Sequence, residues 1–535
     1  MKTITLQKVL TTLCCFFFIL HVLHAQQYDA TETIDTGNIR AVINSNGILF
    51  EQFPYDNGFE APKGGGVHAT FAANLWMGGL DDGGQLHLAA STYRQTGDDF
   101  FPGPIATNGA AGDIETWDQL WKVGKAEIAH HKTHYTDAGY VVPQRIANWP
   151  GNGPAGFDAI MAPFADLNNN GIYEPSAGDY PAIYGDQAVY FIFNDLALPH
   201  TETGALPLGF EVHGMAYAFN AATNLLLENS VFFNYTLKNK SGNNYHDLYF
   251  GLWNDFDLGC YADDYVGTDV AKNTIFVINQ DSIDGSVYCS NPSYGVDPPA
   301  LAATWLSHPI TKSIGYHNDF SVLGNPETSD DYYDFLRAIW KDGSPLAVDS
   351  LNPDGYQGAD TVDFYFPGTS DSSVSGQPSN WWWNANLDPT DIRMIGSIGP
   401  FNLPSQGVIS LDFVYNFLPY NGSDEDGEGR LALSNSVQSI IDLFTNGTIT
   451  SANQPEFEAV EITISPNPFH DFTTVRCNGK FEILKLMDIT GRVVFQQQIA
   501  HQTSVNLNRN ELPDGVYLLQ LSSPNQQFTS KIIIQ

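Results

Sequence analysis

The sequence predicts a mainly β protein, in which an antiparallel β-sandwich main region with a few short helices is followed by a small C-terminal Ig-like β-sandwich. Apolar and polar residues alternate along successive short segments, as in strands with one buried face and one solvent-facing face. Asn, Asp, Gly and Pro separate these segments, as they do in turns between antiparallel strands. Hydrophobic residues make up 43% of the 535 residues, enough to fill the cores of two or three domains.

A segment typical of a secretory signal peptide begins the chain. Lys2 and Lys8 precede an apolar run over Val9–Leu23, and Ala25 followed by two glutamines offers a cleavage point. The run is too short for a stable membrane span, so we expect no transmembrane segment in the mature chain. The predicted division is a signal peptide over 1–25, a β-rich main region over 26–447 with a break near 200 left open, a linker over 448–461 and a C-terminal domain over 462–535.

The main region begins with short β-type runs. Ile39–Ile43 and Ile48–Phe50 flank Asn44–Gly47, and an Asn-Gly turn between two such runs predicts a hairpin. Ala72–Gly79 and Gln85–Ala90 follow as further strands with glycine-rich turns. These elements already favour a sheet built from sequential antiparallel neighbours.

The clearest alternation lies further along the main region. The residues that share one face of each predicted strand are Met215, Tyr217 and Phe219, then Val231, Phe233, Tyr235 and Leu237, then Leu248, Phe250 and Leu252. A period of two over successive strands is typical of an antiparallel sandwich in which each sheet has one wet face.

Three segments carry apolar residues at helical spacing and predict short helices among the strands. They are Trp117–His134, Tyr332–Trp340 and Leu433–Phe444. The third stops at Asn446–Gly447, a typical helix end, and its apolar stripe indicates packing across the sandwich.

Acidic residues outnumber basic ones by 60 to 23, and the formal net charge is -37. A surface of this sign repels nucleic acid and anionic lipid, so we expect neither as a partner. Excess carboxylate instead suits hard cations, chiefly calcium outside the cell. The alternative is a solvated acidic surface that needs no ligand.

The best candidate for calcium binding is the loop from Asp166 to Asp179. Oxygen-bearing residues at alternate positions and Gly171 at the sixth match the opening of an EF-hand-type loop. Ala177 stands where an EF-hand places its bidentate Glu, so a neighbouring carboxylate would have to complete the shell. The predicted ligands are Asp166, Asn168, Asn170, the carbonyl of Ile172, Glu174 and Asp179. The alternative is a loop of Asx-turns without metal.

A second candidate metal cluster follows the strand that ends near Trp253. Its five carboxylates are Asp255, Asp257, Asp263, Asp264 and Asp269. Carboxylates so close in sequence repel one another unless a cation or solvent screens them. The alternatives are a solvated acidic loop and a carboxylate pair for glycoside hydrolysis at Asp255 and Asp257.

Aromatic and cysteine residues supply two further predictions. Trp381, Trp382 and Trp383 offer flat apolar faces that could contact a glycan, although at least one of three consecutive tryptophans would pack inward. Cys260 and Cys289 could form a disulfide in an oxidising compartment, and their spacing alone leaves this open.

The chain carries no Gly-x-Ser-x-Gly elbow, Walker loop or dinucleotide fingerprint. We therefore predict no catalytic residue and expect a structural or binding role. A polysaccharide-binding module or a glycoside hydrolase is the alternative, with surface polysaccharide as the partner.

The last seventy or so residues carry a characteristic series of motifs. It opens with Ser465–Phe469, continues through Leu484–Val494 and Leu512–Leu519, and closes with Lys531–Ile534. The series resembles the type A C-terminal sorting domain of the type IX (Por) secretion system of Bacteroidota. On this resemblance the motif residues are Pro466, Asn467, Pro468, Asp488, Gly491, Gly515, Tyr517 and Lys531. The resemblance implies export by the type IX machinery, through the periplasm, to the cell surface or the medium.

The main region also resembles a group of large secreted Bacteroidota proteins that bear the same sorting domain. The similarity rests on Glu60–Lys63, Leu75–Gly79, Ala182–Gln187 and Ile339–Gly343. This group implies no activity for the main region.

Overall fold

A computed structural model describes most of the chain. The described residues are 30–52, 56–93, 97–285, 289, 292–349, 352, 354–371, 390–419, 428–447, 449, 462–477, 481, 483–488, 492–499, 502, 504–509, 512–523 and 526–535. Four predictions fall wholly or partly outside them: the signal peptide, Trp381–Trp383, Gly491 and the linker apart from Ile449. The described residues divide into two compact units. The main unit takes in those of 30–219 and 229–449, and the C-terminal unit those of 462–535 together with Asn220–Glu228.

The main unit is built mostly from strands. They are β1 Thr31–Ile34, β2 Arg40–Asn44, β3 Glu51–Gln52, β4 Asp56–Asn57, β5 Phe59–Glu60, β6 His68–Thr70, β7 Ala72–Asp81, β8 Leu86–Ala89, β9 Phe101–Pro102, β10 Trp121–Gly124, β11 Phe164–Ala165, β12 Tyr180–Pro181, β13 Gln187–Asn194, β14 Phe210–Ala218, β15 Ser230–Asn239, β16 Tyr245–Asp255, β17 Asp264–Asp269, β18 Thr274–Asn279, β19 Ile283–Asp284, β20 Gly295–Val296, β21 Ala300–Trp305, β22 Lys312–His317, β23 Ala347–Val348, β24 Asp360–Thr361, β25 Ile392–Leu403 and β26 Val408–Leu418.

Helices interrupt the strands at a few places. The α-helices are α1 Ile114–Trp117, α2 Lys125–His134, α3 Gln144–Ala147, α4 Leu225–Glu228, α5 Ser329–Leu336 and α6 Glu428–Thr445, and short 3-10 turns span Pro175–Ala177 and Val270–Lys272. No helix of the described chain is long and apolar enough to cross a membrane.

Two large antiparallel sheets dominate the main unit, which also contains a four-stranded sheet in the order β1-β2-β5-β6. The first runs in the order β10-β13-β14-β15-β26-β21-β18-β17, with β9 paired to β13, and the second in the order β22-β25-β16-β7-β8. The pairs β13–β14 and β14–β15 join strands that follow one another in the chain. The predicted fold class, mainly β with antiparallel sheets and a few short helices, is confirmed.

The core lies between these two sheets. On β15, Val231, Phe233 and Tyr235 are fully buried, while Asn234 and Thr236 on the opposite face are half-buried. Contacts join the sheets directly, since the Tyr415 hydroxyl donates to Asn254 Oδ1 at 2.6 Å and the Trp305 indole donates to the Gly396 carbonyl at 2.9 Å. The alternation of the sequence therefore marks the faces that meet.

Helices cover the outer faces of both sheets. Helix α5 lies on the five-stranded sheet, where the Tyr332 ring is 4.9 Å from the Trp76 ring. Its close approach requires Gly251, because a Cβ there would lie 2.5 Å from a methyl of Leu336. Helix α6 lies on the nine-stranded sheet, and Ser436 on it donates to Asn416 at 2.8 Å.

Two of the predicted helices are shorter than expected. The Trp117–His134 segment is interrupted by β10, in which Trp121 is buried and pairs with Tyr190 of β13. Helix α5 ends at Leu336 instead of continuing to Trp340, because Ala338 adopts a left-handed φ of 57°. In both segments the aromatic residues have helical spacing in the sequence, but Trp121 lies in a strand and Trp340 lies beyond the end of α5.

The C-terminal unit contains two small antiparallel sheets. Its strands are β27 Ile462–Ser465, β28 Phe472–Cys477, β29 Ile483–Met487, β30 Val493–Gln498, β31 Ser504–Asn508, β32 Gly515–Ser523 and β33 Gln526–Ile534. The sheet orders are β27-β28-β31 and β30-β29-β32-β33. Phe469, Leu486 and Leu519 belong to a buried cluster of its own, so this unit has a separate core, as predicted for a small sandwich.

Candidate functional site

Carboxylates gather where β16 ends and β17 begins. Strand β16 belongs to the five-stranded sheet and β17 to the nine-stranded sheet, so the loop over 256–263 passes from one sheet to the other. Residues from β19 and from the start of β25 join it. We call this set of six the acidic end: Asp255, Asp257, Asp263, Asp264, Asp284 and Asp391.

The first part of the acidic end contains an arginine. Asp255, Asp257 and Asp391 each place a carboxylate oxygen within 4.8 Å of the others. Arg393 is the cross-strand neighbour of Asp255, and its Nε and Nη2 contact the two Asp255 oxygens at 3.1 Å each. Its Nη1 pairs with Asp391, and its guanidinium lies 4.7 Å from the centre of the Tyr93 ring. We call these three aspartates with Arg393 the arginine group.

Asp257 differs from its two neighbours in the arginine group. Its Oδ1 is buried and accepts no hydrogen bond from the described residues. Burial raises the pKa of Asp257 well above its usual range, Asp255 and Asp391 raise it further, and Arg393 opposes them. Because the single guanidinium is directed at the other two aspartates, Asp257 favours its protonated form when no cation is near.

The second part of the acidic end consists of Asp263, Asp264 and Asp284, which we call the Asp263 group. All three are at least nine-tenths buried. Backbone amides hold one oxygen of Asp263 and of Asp264, since Gly285 N–H donates to Asp263 Oδ2 and Leu258 N–H to Asp264 Oδ2, both at 2.9 Å. They hold both oxygens of Asp284, because Cys260 N–H donates to Oδ1 at 3.0 Å and Tyr294 N–H donates to Oδ2. The Oδ1 atoms of Asp263 and Asp264 are buried and accept no hydrogen bond from the described chain.

Among the described residues, no positively charged side chain pairs with the Asp263 group. None of the ion pairs formed within the described residues reaches Asp263, Asp264 or Asp284. Burial raises the pKa of all three, that of Asp264 well above its usual range and that of Asp284 to about 6. The repulsion among the three carboxylates adds to the effect of burial. A cation or protons must therefore balance this group.

A disulfide lies beside the Asp263 group. Cys260 and Cys289 are joined, with their Cα atoms 5.6 Å apart. The Cys260 sulfur lies near Asp263 and Asp284 but is not a thiolate, so only oxygen ligands remain for an ion. Oxygen-only sites suit hard cations such as calcium.

The structure separates Asp269 from the other predicted members of the second cluster. Asp269 ends β17, whereas Asp264 begins it, and Asp269 accepts a 2.6 Å hydrogen bond from Ser434 of α6. Asp284 and Asp391 belong to the acidic end although neither was among the predicted ligands. The one sequence signal was the Asp391–Arg393 spacing, which puts both side chains on one face of a strand.

The predicted loop from Asp166 to Asp179 folds around Glu174. Asp166 Oδ2 accepts from Gly171 N–H at 2.7 Å, and the amide of Asn170 donates to Glu174 Oε2 at 2.5 Å. Asn168 also donates to Glu174, and both oxygens of Asp179 accept backbone N–H groups of the loop. The side-chain oxygens of Asn168 and Asn170 accept the backbone N–H groups of Asn170 and Ile172, as in Asx-turns. Asp166 Oδ1, in contrast, is buried without a hydrogen bond from the described residues. Ile172 can contribute only its backbone carbonyl, because its side chain has no ligand atom.

One motif residue of the C-terminal unit, Asn467, forms hydrogen bonds that hold the last strand, β33, in place. The side chain of Asn467 donates to the Lys531 carbonyl at 3.0 Å and accepts from Ile533 N–H at 2.9 Å. Gly515 begins β32, and the Tyr517 hydroxyl donates to the Pro513 carbonyl at 2.9 Å. These contacts give the motif a structural role within the unit.

Comparison with protein families assigns the C-terminal unit. Residues 463–535 match the family described as the secretion system C-terminal sorting domain (Por secretion tail). No curated protein matches the chain. The predicted sorting domain is confirmed, and it implies secretion to the cell surface or outside.

Solved structures give only distant similarities. They include a polysaccharide lyase, with 9% identity, 61% of this chain and 34% of that chain covered and a TM-score of 0.19. The BSP domain of a biofilm-associated protein is 10% identical, the match covers 65% of this chain and 59% of that chain, and the TM-score is 0.14. PorZ, a surface component of the type-IX secretion system of Porphyromonas gingivalis, is 11% identical. The match covers 95% of this chain and 75% of that chain, and the TM-score is 0.13. The chain spans about a third of the length of the lyase, and these TM-scores are too low to indicate a shared fold.

Proposed function

We propose that this protein is a cargo of the type IX secretion system whose main unit acts outside the cell as a calcium-stabilised β-sandwich with a structural or binding role. The sorting domain at 463–535 supports the export. The observation that carries the calcium is the surplus of buried carboxylate at the acidic end, where the one arginine of the arginine group contacts only Asp255 and Asp391 of the six aspartates.

Calcium is the cation that fits these groups. Carboxylate oxygens are its preferred ligands, and its sites tolerate irregular loops with several carboxylates. Transition metals would favour imidazole or thiolate, whereas the sulfur beside this site is held in a disulfide. The loop from Asp166 to Asp179 is a second calcium candidate, because Asp166 Oδ1 is buried there without a hydrogen bond from the described residues.

The test is thermal unfolding of the full mature chain in calcium and in chelator. A ligand that binds only the folded state stabilises it by about 2.7 kcal/mol at a concentration 100 times its dissociation constant, so calcium should raise the melting temperature. Elemental analysis should find calcium bound after dialysis. The Asp360→Asn variant, altered at an exposed aspartate of β24, should respond like the native chain. An unchanged melting temperature together with no bound metal would contradict the proposal.

A glycoside hydrolase or polysaccharide-binding module is the second candidate. The observation in favour of hydrolysis is the arginine group, in which Asp257 favours protonation beside Asp255, whose charge Arg393 offsets. Two carboxyl groups with such different surroundings are what an acid and its partner require. Release of reducing ends from a polysaccharide that is lost in Asp257→Asn would support the hydrolase. Glycan binding that is lost in Trp382→Ala would support the binding module.

A further inference from the structure

We infer that His130 and His134 form a binding site for a divalent transition-metal ion, zinc or copper, on the exposed face of helix α2. The pair lies outside the acidic end and outside the loop from Asp166 to Asp179. It offers imidazole nitrogens, which zinc and copper favour, whereas the two calcium candidates offer oxygen ligands. The inference goes beyond the proposed function and stands whether or not the chain binds calcium.

Helix α2 places the two imidazoles side by side. Residues four apart in sequence lie on the same face of an α-helix, one turn above the other. His130 is exposed, the side chain of His134 is 42% exposed, and the centres of their rings are 4.4 Å apart. Two imidazoles that share an ion at a metal–nitrogen distance of about 2.0–2.1 Å have ring centres about 4.5–5 Å apart. The two rings are therefore close to the separation that a shared ion requires.

The turn that follows α2 fixes the tautomer of His134. The Asp137 carboxylate accepts a hydrogen bond from His134 Nδ1 at 2.7 Å, so this nitrogen carries the hydrogen of the neutral ring. The lone pair of the neutral ring then lies on Nε2, where a metal ion binds. Asp137 is itself held in the turn, because its N–H donates to the His134 carbonyl at 2.9 Å. A carboxylate that orients a histidine in this way is typical of the surroundings of metal ligands in proteins.

His131, the third histidine of α2, supports the pair without being a ligand. It is fully buried, its Nε2 donates to the Asp179 carbonyl at 3.1 Å, and its Nδ1 accepts from the Tyr140 hydroxyl at 3.1 Å. Both ring nitrogens are therefore occupied. These contacts also hold the Tyr140 ring beside the pair, 5.9 Å from the His130 ring and 6.5 Å from the His134 ring. The two exposed imidazoles thus rest on a buried, hydrogen-bonded base.

Two protein ligands leave part of the coordination shell open. In the part of the chain that the structure describes, no group of three imidazole, carboxylate or thiolate ligands includes His130 or His134. A four-coordinate ion held by this pair keeps two positions for water or for a ligand from another molecule. We therefore expect weaker and more readily reversible binding than at a structural zinc site. The net charge of -37 adds a general attraction for cations.

The experiment titrates the full mature chain with Zn²⁺ by isothermal calorimetry, in a buffer whose excess calcium occupies the carboxylate sites. The native chain should bind one zinc ion. His130→Ala and His134→Ala should each weaken binding about tenfold or more, because a single imidazole remains. Asp137→Asn should keep the stoichiometry and weaken binding about tenfold, as expected of a residue that orients a ligand. With Cu²⁺ as the probe, the electron paramagnetic resonance spectrum should show two imidazole nitrogens in the native chain and one in either alanine variant.

The matched control is His246→Ala. The His246 side chain is 41% exposed and contacts Asp247 at 2.9 Å, as His134 contacts Asp137, but glycine stands four residues before it at Gly242. This variant should bind zinc like the native chain. The inference is overturned if the native chain binds neither Zn²⁺ nor Cu²⁺, if both alanine variants of the pair bind as the native chain does, or if His246→Ala loses as much affinity as they do. Alanine favours helix, so the variants in α2 should melt like the native chain.

Discussion

Arg393 is the residue on which the buried charge of the arginine group depends. Its side chain is 3% exposed and contacts two aspartates at once. We predict that Arg393→Met lowers the free energy of unfolding by about 3–5 kcal/mol at neutral pH, because removing one partner leaves buried carboxylates uncompensated. Urea unfolding measures the change. Arg145→Met, altered at an exposed arginine 3.6 Å from Glu127, should change it by less than about 1 kcal/mol. Equal losses in the two variants would contradict the assignment.

Asp158 is a surface carboxylate held between two lysines, at 2.8 Å from Lys238 and 2.7 Å from Lys240. Partial burial raises the pKa of Asp158, but the two lysines outweigh it and lower the pKa from 3.8 to about 2. A depressed pKa in the folded state means that stability is present above pH 4 and is lost as the pH falls towards 2.

We therefore predict that Asp158→Asn lowers stability at pH 7 and flattens its decline between pH 4 and pH 2. The effect is modest because the carboxylate is 31% exposed and solvent screens it. Urea unfolding at pH 7, 4 and 2 measures it, with Asp360→Asn as the control. A variant whose stability declines with acid as steeply as that of the native chain would disprove the role of the lysine pair.

At the residue scale the sequence predicted part of the site. Asp255, Asp257, Asp263 and Asp264 were found because they lie close together in the chain. Asp391 reaches them only because β25 pairs with β16, a long-range pairing that no local pattern reveals. Asp269 was included because it is also close in sequence, but it lies at the end of the six-residue strand β17 that is opposite to Asp264.

Helix α5 is an element whose start can be tested directly. Asp331 N–H donates to Thr328 Oγ1 at 3.3 Å, and Asp331 Oδ2 accepts from Thr328 N–H at 2.9 Å, so the pair forms a capping box. We predict that Thr328→Ala destabilises the main unit by about 1 kcal/mol, because it exposes an unsatisfied amide of the first turn. Chemical denaturation measures the loss. Thr328→Ser keeps the hydroxyl and should be nearly neutral, and a loss as large as that of alanine would argue against capping.

The sequence predicts a strand well when one face of the strand is buried and the other is less buried. The alternation along β15 marked its buried face because the strand is central and its other side is less covered. Strand β10 escaped prediction because it has four residues and lies between two helical segments, so its pairing with β13 outweighs the local aromatic spacing. The early end of α5 depends on the backbone at Ala338, a conformation that side-chain patterns do not report.

The whole molecule combines two units that each have a core. Phe233 and Trp253 belong to the core of the main unit, and Leu486 and Leu519 to that of the C-terminal unit. Because no described residue belongs to both cores, we expect the main unit to fold when the sorting domain is absent. This separation suits a domain that serves export and leaves the work outside the cell to the main unit.

We predict that deleting residues 462–535 leaves a folded main unit in the periplasm, because the sorting domain directs passage through the type IX machinery. Cell fractionation locates the protein, and calcium-dependent melting of the purified main unit checks its fold. Asn467→Ala makes a finer test, since it removes both side-chain hydrogen bonds to β33 and should reduce export without affecting the melting of the main unit. Asn506→Ala, which alters an exposed asparagine of β31, is the matched control and should be exported normally. A truncated chain that still reaches the medium would show that the main unit carries its own export signal.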